Sequence, residues 1–191
     1  MNLFKIFIGA FLIDNVVLMQ FIGLCPFIGM STDEDKAVGM GMAVTFVTVL
    51  AAAVTWFIYR FILDPWNLEF LQILVFILVI ASLVQLLEFY LKKTSPLLYN
   101  SMGIYFALIT TNCAILAVTF NIISNKYDFV ESVVYAAGIA LGFLLATLLL
   151  AGIRRRIRTS PIPDFLKGPP ILFVAAALLS MAFMGFKGLV K

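Results

Sequence analysis

The sequence predicts an all-α integral membrane protein. Six transmembrane helices are expected, arranged as two inverted three-helix repeats, with spans 1 and 4 broken near two cysteines. Three observations lead to this reading. Of the 191 residues, 63% are hydrophobic and only 12% charged, about half the charged fraction of a soluble domain. Apolar stretches of about 20 residues recur six times, each long enough to cross roughly 30 Å of hydrocarbon. The only two cysteines, Cys25 and Cys113, lie 88 residues apart, each late in the first stretch of a three-stretch half.

The first stretch, Asn2 to Leu24, carries a single early lysine, Lys5. Its apolar run is too long for the h-region of a signal peptide and no small-x-small cleavage site follows, so it is expected to stay in the protein. Asp14 falls about 16 Å along this stretch, near the midplane, where a carboxylate is a functional candidate by default. The competing reading is a protonated or Asn15-supported residue that helps to break the helix. The stretch runs into "FIGLCPFIGM", Phe21 to Met30, which gathers glycines, a proline and a cysteine where a lipid-facing helix should avoid them.

The second stretch, Lys36 to Ile62, carries "GMGMA", and the fifth, Phe129 to Ile153, carries "AAGIALG". Both are faces suited to close helix packing. The third, Phe70 to Leu91, ends with Glu88 four residues before Lys92, the spacing of an ion pair along a helix. The fourth, Leu97 to Ile123, contains "LITTNCAIL", and the sixth runs from Pro170 to Leu189. Connections are short, which points to one membrane domain over residues 1–191, with pseudo-repeats 1–95 and 96–191.

Lysines and arginines set the orientation. Loops after stretches one, three and five hold Lys36, Lys92, Lys93, Arg154, Arg155, Arg156, Arg158 and Lys167, against Lys5, Arg60, Lys126, Lys187 and Lys191 on the other side. The first group is expected in the cytoplasm and both termini outside. The run "RRRIR" reads as a topology determinant rather than a nucleic-acid or lipid site. A three-span unit repeated once must insert its second copy upside down, hence the inverted repeat. The chain has no histidine, which excludes proton relays and metal sites built on imidazole.

Cys25 and Cys113 admit three readings: small buried hydrophobes, a disulfide, or ligands of a shared metal site. Their surroundings favour attention to the third. Gly23 and Pro26 flank Cys25, while Thr110, Thr111 and Asn112 precede Cys113. Loosened backbone frees N–H groups which, with the threonine hydroxyls, suit the sulfurs of an anionic iron-sulfur cluster. Such a cluster, like an all-cysteine zinc site, takes four thiolates, so a partner must bring two more. A second six-span protein related to this one is the economical source. Straight helices would leave the two sulfurs at opposite faces, so a break near Gly23 to Gly29, or at Asp14 and Asn15, is needed for them to approach.

"FIGLCPFIG", "VQLLEFYLKKTSPLLYNSMGIYFALITTNCAIL" and "MAFMGFKGLV" resemble the A-type membrane subunits of the Rnf electron transport complex, the ferredoxin:NAD oxidoreductase. The E-type membrane component of the Na+-translocating NADH:quinone reductase is a close relative of that family. The resemblance covers nearly the whole chain. It implies a component of the bacterial or archaeal inner membrane that, with a homologous partner of inverse topology (the E-type Rnf protein), encloses a 2Fe-2S cluster. Cys25 and Cys113 match the family's two cluster ligands, with Gly23, Pro26, Thr110, Thr111 and Asn112 around them. Further partners would be the B-, C-, D- and G-type Rnf components and the lipid bilayer, with no nucleic acid. The chain would be no enzyme by itself: it would relay electrons across the membrane in a complex that pumps Na+ or H+, with Asp14 and Glu88 as ion-coupling candidates.

The rival reading is an inverted-repeat ion or small-solute transporter, its site built from Asp14, Thr110, Thr111 and Asn112. A third, an assembly scaffold, makes the cysteines dispensable.

Overall fold

A computed structural model describes residues 3–13, 15–31, 34–63, 69–94, 108–161, 163 and 168–185. Regular structure among them is helical throughout, with no strand. Helix α1 (Leu3–Ile8) widens into a π-helical turn (Gly9–Ile13), and α2 (Val16–Gln20) and α3 (Leu24–Met30) follow as separate short pieces. The long α4 (Glu34–Ile58) also ends in a π turn (Tyr59–Leu63), and a 3-10 turn (Glu69–Leu71) leads into α5 (Gln72–Thr94). After a helical turn at 108–110 come α6 (Cys113–Ser124), α7 (Phe129–Arg158) and α8 (Pro169–Met184).

Sequence chemistry explains the helix ends. Asp128 opens α7 with a reciprocal capping box to Glu131, which satisfies two of the donors a helix leaves without partners. Pro169 and Pro170 sit in the first turn of α8, where a missing N–H costs nothing. Threonines inside helices turn their hydroxyls to the preceding turn: Thr48 donates to the Val44 carbonyl at 2.7 Å and Thr147 to Phe143 at 2.8 Å. No polar atom of these side chains then needs water.

Among the described residues, three helical segments are long and apolar enough to cross a membrane: Ala37–Leu63, Gln72–Tyr90 and Phe129–Arg158. Leu108–Ser124 and Pro169–Met184 are shorter apolar helices. The first apolar stretch is divided at Asn15 and again at Phe21–Gly23.

The closest partners are α4 and α7, and α1 with its π turn lies along the first half of α7. This contact depends on glycine. A Cβ at Gly142 would sit 2.7 Å from the Phe11 carbonyl oxygen, and one at Gly138 would sit 2.9 Å from the Ala10 Cβ. Backbones therefore meet where "AAGIALG" passes α1, the packing that small residues permit. In "GMGMA", among the described residues, Gly41 has such a neighbour, Leu144 at 3.0 Å, while Gly39 has none within 4 Å.

Two clusters form the core. One joins Val17, Leu18, Phe27, Met40, Val84, Ile109, Ile115, Phe143 and Leu150, and the other joins Ile6, Ala10, Val118, Tyr135 and Ile139. The outer surface stays apolar. Within the crossing segment of α5 only 17% of residues are buried, against 56% in α7, and Leu74, Leu78, Leu86 and Phe89 are exposed. A contiguous apolar face of that extent belongs against lipid or another helix rather than water.

Candidate functional site

Two interruptions of helix build the site. The first begins at Asn15, whose side-chain oxygen accepts from the N–H groups of Val17 (3.3 Å) and Leu18 (3.4 Å) while its amide Nδ2 donates to the Gly142 carbonyl at 2.9 Å. One buried side chain thus caps α2 and ties it to α7. The cap matters because a helix start away from water leaves N–H groups that only protein can satisfy. After Gln20 the helix closes at Phe21 (φ 54), and Gly23 (φ 86) follows, with Ile22 N–H returning to the Val16 carbonyl at 3.2 Å, a helix-closing pattern.

Gly23 then starts α3, on which Cys25 is the second residue. Pro26 is buried in the first turn, a position that tolerates proline, so it does not break this helix. Within the cysteine motif the helix is interrupted at Phe21 to Gly23, ahead of Cys25.

The second interruption is at Thr111 and Asn112. Asn112 accepts from Ala114 N–H at 2.9 Å and so caps α6, whose first residue is Cys113. The two interruptions touch. Gly23 N–H donates to the Cys113 sulfur at 3.1 Å, and a Cβ on Gly23 would lie 2.9 Å from the Ala114 Cβ. Only glycine combines the left-handed φ with that approach.

Cys25 and Cys113 are free thiols and both are exposed. Within this chain, therefore, neither lies in the core and the two are not joined as a disulfide. Beside Cys113 a cavity of about 490 Å³ opens between α5 and α6, walled by Ile77, Ile80 and Gln85 on one side and by Thr110, Thr111, Asn112 and Cys113 on the other. The Asn112 amide Nδ2 is buried there without a hydrogen-bond partner among the described residues.

The structure thus brings Gly23, Asn112 and Cys113 into direct relation, with Cys25 and Pro26 on the adjoining helix and Thr110 and Thr111 on the cavity wall. Glu88 lies elsewhere, half-buried on α5 one turn before the exposed Lys92. Asp14 falls outside the described residues. Among those described, no group of three or more Cys, Asp or Glu side chains comes together as a metal site; the chain itself offers two thiols.

Two residues of this region have contacts that the sequence reading did not anticipate. Arg154 donates from Nη1 to the Ile28 carbonyl and to Ser31 Oγ, and Ser180 donates to the Leu18 carbonyl at 2.6 Å. A weaker signal existed for the arginine: it continues the inward spacing of Phe143, Thr147 and Leu150 on α7, which a helical period carries to position 154.

A family model described as "Rnf-Nqr subunit, membrane protein" matches residues 3–190. The chain belongs to the Rnf-Nqr family. Its Rnf-Nqr relatives include the A-type component of the ion-translocating oxidoreductase complex of Syntrophotalea carbinolica, 52% identical over 99% of this chain and 98% of the relative. The A-type component of the Na+-translocating ferredoxin:NAD+ oxidoreductase complex of Acetobacterium woodii is 50% identical over the same shares. The relative from Clostridium ljungdahlii, named as the A-type component of a proton-translocating ferredoxin:NAD+ oxidoreductase complex, is 45% identical over 97% of this chain and 96% of its own length. These Rnf-Nqr proteins match end to end, so both cysteine segments lie inside the region of similarity.

Proposed function

We propose that this chain is the A-type membrane subunit of an ion-translocating ferredoxin:NAD oxidoreductase complex. Cys25 and Cys113 supply half of the thiolates of a 2Fe-2S cluster, and a homologous six-helix protein of inverse topology supplies the other half. The observation that carries this reading is the meeting of the two cysteine segments, with Gly23 N–H on the Cys113 sulfur and both thiols on the surface of the chain. Two exposed thiols and no histidine fit half of a four-thiolate site and cannot close one alone.

When bound, the cluster supplies a one-electron carrier at membrane depth. The chain's own residues prepare its place. The Gly23 N–H lies on a ligand sulfur, a contact that stabilises added negative charge there. Asn112 fixes the start of α6 and with it the direction of Cys113, and Pro26 stiffens the turn that presents Cys25. Thr110 and Thr111 offer hydroxyls on the same side.

In this reading spans 1 and 4 are the broken members of a six-span inverted repeat, both termini lie outside the inner membrane, and the B-, C-, D-, E- and G-type Rnf components complete the complex. Asp14 and Glu88 remain the candidates for ion coupling, as the carboxylates of the first and third spans.

The test is iron and acid-labile sulfide in the complex purified without oxygen. Both should be present and should fall in the combined Cys25→Ser and Cys113→Ser variant. Their absence from the unaltered complex, or full retention in the variant, overturns the proposal. Transport by this protein reconstituted alone would mark a carrier instead.

A further inference from the structure

The arginine run that closes α7 does not stay wholly in solvent. Arg155, Arg156 and Arg158 are exposed, whereas Arg154 is half-buried. Its Nη1 donates to the carbonyl of Ile28 at 3.1 Å and to Oγ of Ser31 at 3.0 Å. Ser31 Oγ donates in turn to the same Ile28 carbonyl at 3.0 Å. Three groups from two distant segments close into one knot at that carbonyl.

That carbonyl belongs to the last turn of α3, where it has no partner within the helix. A cation there also complements the negative end of the helix. The need for such support is plain from length. Seven residues between the turn at Phe21–Gly23 and the turn at Ser31 are too few to hold a helix by its own hydrogen bonds. α3 is fixed at its start by the Gly23 contact to Cys113 and Ala114, in the middle by the fully buried Phe27, and at its end by Arg154. Cys25 rides on this piece.

We propose that Arg154 is a positioning residue for Cys25: by clasping the Ile28 carbonyl and Ser31 it sets where α3, and hence the Cys25 thiol, stands relative to Cys113. The clasp itself is independent of any cofactor; its consequence for the metal centre rests on the shared-cluster reading above. The sequence offers Arg154 as one of several topology charges, and the geometry gives it a second task in holding α3.

The test uses the intact complex with Arg154→Gln, Arg154→Lys and Ser31→Ala. Amide hydrogen exchange over residues 24–30 reads the clasp without reference to a cluster. Arg154→Gln is expected to speed it about tenfold, the scale of a lost charge-assisted hydrogen bond. Arg154→Lys, which keeps the charge and a donor, should recover most of the protection. The electron paramagnetic resonance line shape and midpoint potential of the reduced cluster should shift in Arg154→Gln at unchanged iron per complex.

Unchanged exchange overturns the clasp. Faster exchange with an unaltered signal and potential overturns the positioning role and leaves Arg154 a packing residue. If Arg154→Gln fails to assemble, Ser31→Ala removes one partner only and must show the same changes at smaller size, or the proposal falls. Absence of any cluster signal in the unaltered complex overturns the cluster reading instead, and the exchange rates then decide the clasp by themselves.

Discussion

The peptide N–H of Gly23 points at the sulfur of Cys113 across 3.1 Å, joining two segments 90 residues apart at the point where each interrupts its helix. Replacement by alanine tests this contact directly. Gly23→Ala puts a side chain on a backbone with φ 86 and a Cβ 2.9 Å from that of Ala114. Strain and overlap together should lower stability by about 2–3 kcal/mol. Thermal unfolding of the complex in detergent measures that loss, and its iron content should fall with it.

Asn15 does three things with one side chain, so its loss should be felt at both ends. Asn15→Ala removes two accepted hydrogen bonds and leaves the Gly142 carbonyl without the Asn15 donor. A cost of about 2–4 kcal/mol is expected from a lost cap and a lost buried hydrogen bond. Asn15→Ser keeps a capping oxygen and should recover roughly 1 kcal/mol of this; unfolding midpoints of the two variants check the order.

Asn112 differs from Asn15 because its amide Nδ2 has no partner among the described residues. There its oxygen alone is used, in the cap on Ala114. Asn112→Ser should therefore be close to neutral, within about 0.5 kcal/mol, whereas Asn112→Ala should cost about 1 kcal/mol. Unfolding midpoints again give the comparison: a serine variant as damaged as the alanine variant would show that the amide, and not the oxygen alone, has a role.

The glycines of the two packing motifs should behave oppositely. Gly142→Ala drives a Cβ to 2.7 Å from the Phe11 carbonyl oxygen, a backbone atom that cannot rotate away; about 2 kcal/mol of destabilisation is expected. Gly39→Ala meets nothing within 4 Å among the described residues and should gain up to about 1 kcal/mol from helix propensity. Side-by-side thermal unfolding of the two variants settles the contrast.

Glycine spacing alone did not separate these cases. "GMGMA" and "AAGIALG" look alike as strings, yet among the described residues only Gly41 of the first pair meets a neighbour while both Gly138 and Gly142 of the second do. The run "FIGLCPFIGM" was legible as a place where helix fails. Which residues fail was legible only in part: Gly23 belongs to the stretch expected to break, whereas Pro26 lies harmlessly in a first turn and Phe21 closes the preceding helix. The cysteines were legible as an unusual pair; that both lie at the surface of this chain, outside its own core, was not.

By itself the sequence determined the solvent and the class of structure. Long apolar runs with few charges can satisfy their backbone in lipid only as helices, and that argument needs no knowledge of neighbours. It also determined that two thiolates are all this chain can offer. Tertiary structure alone decided that Gly23 meets Cys113, that Asn15 bonds to Gly142 across 127 positions, and that Arg154 leaves its run to hold Ile28 across 126. The reason is physical. Periodicity and propensity act within a turn or two of helix, whereas each of these bonds depends on how separate helices pack, and close packing is set by where a side chain is missing as much as by where one is present.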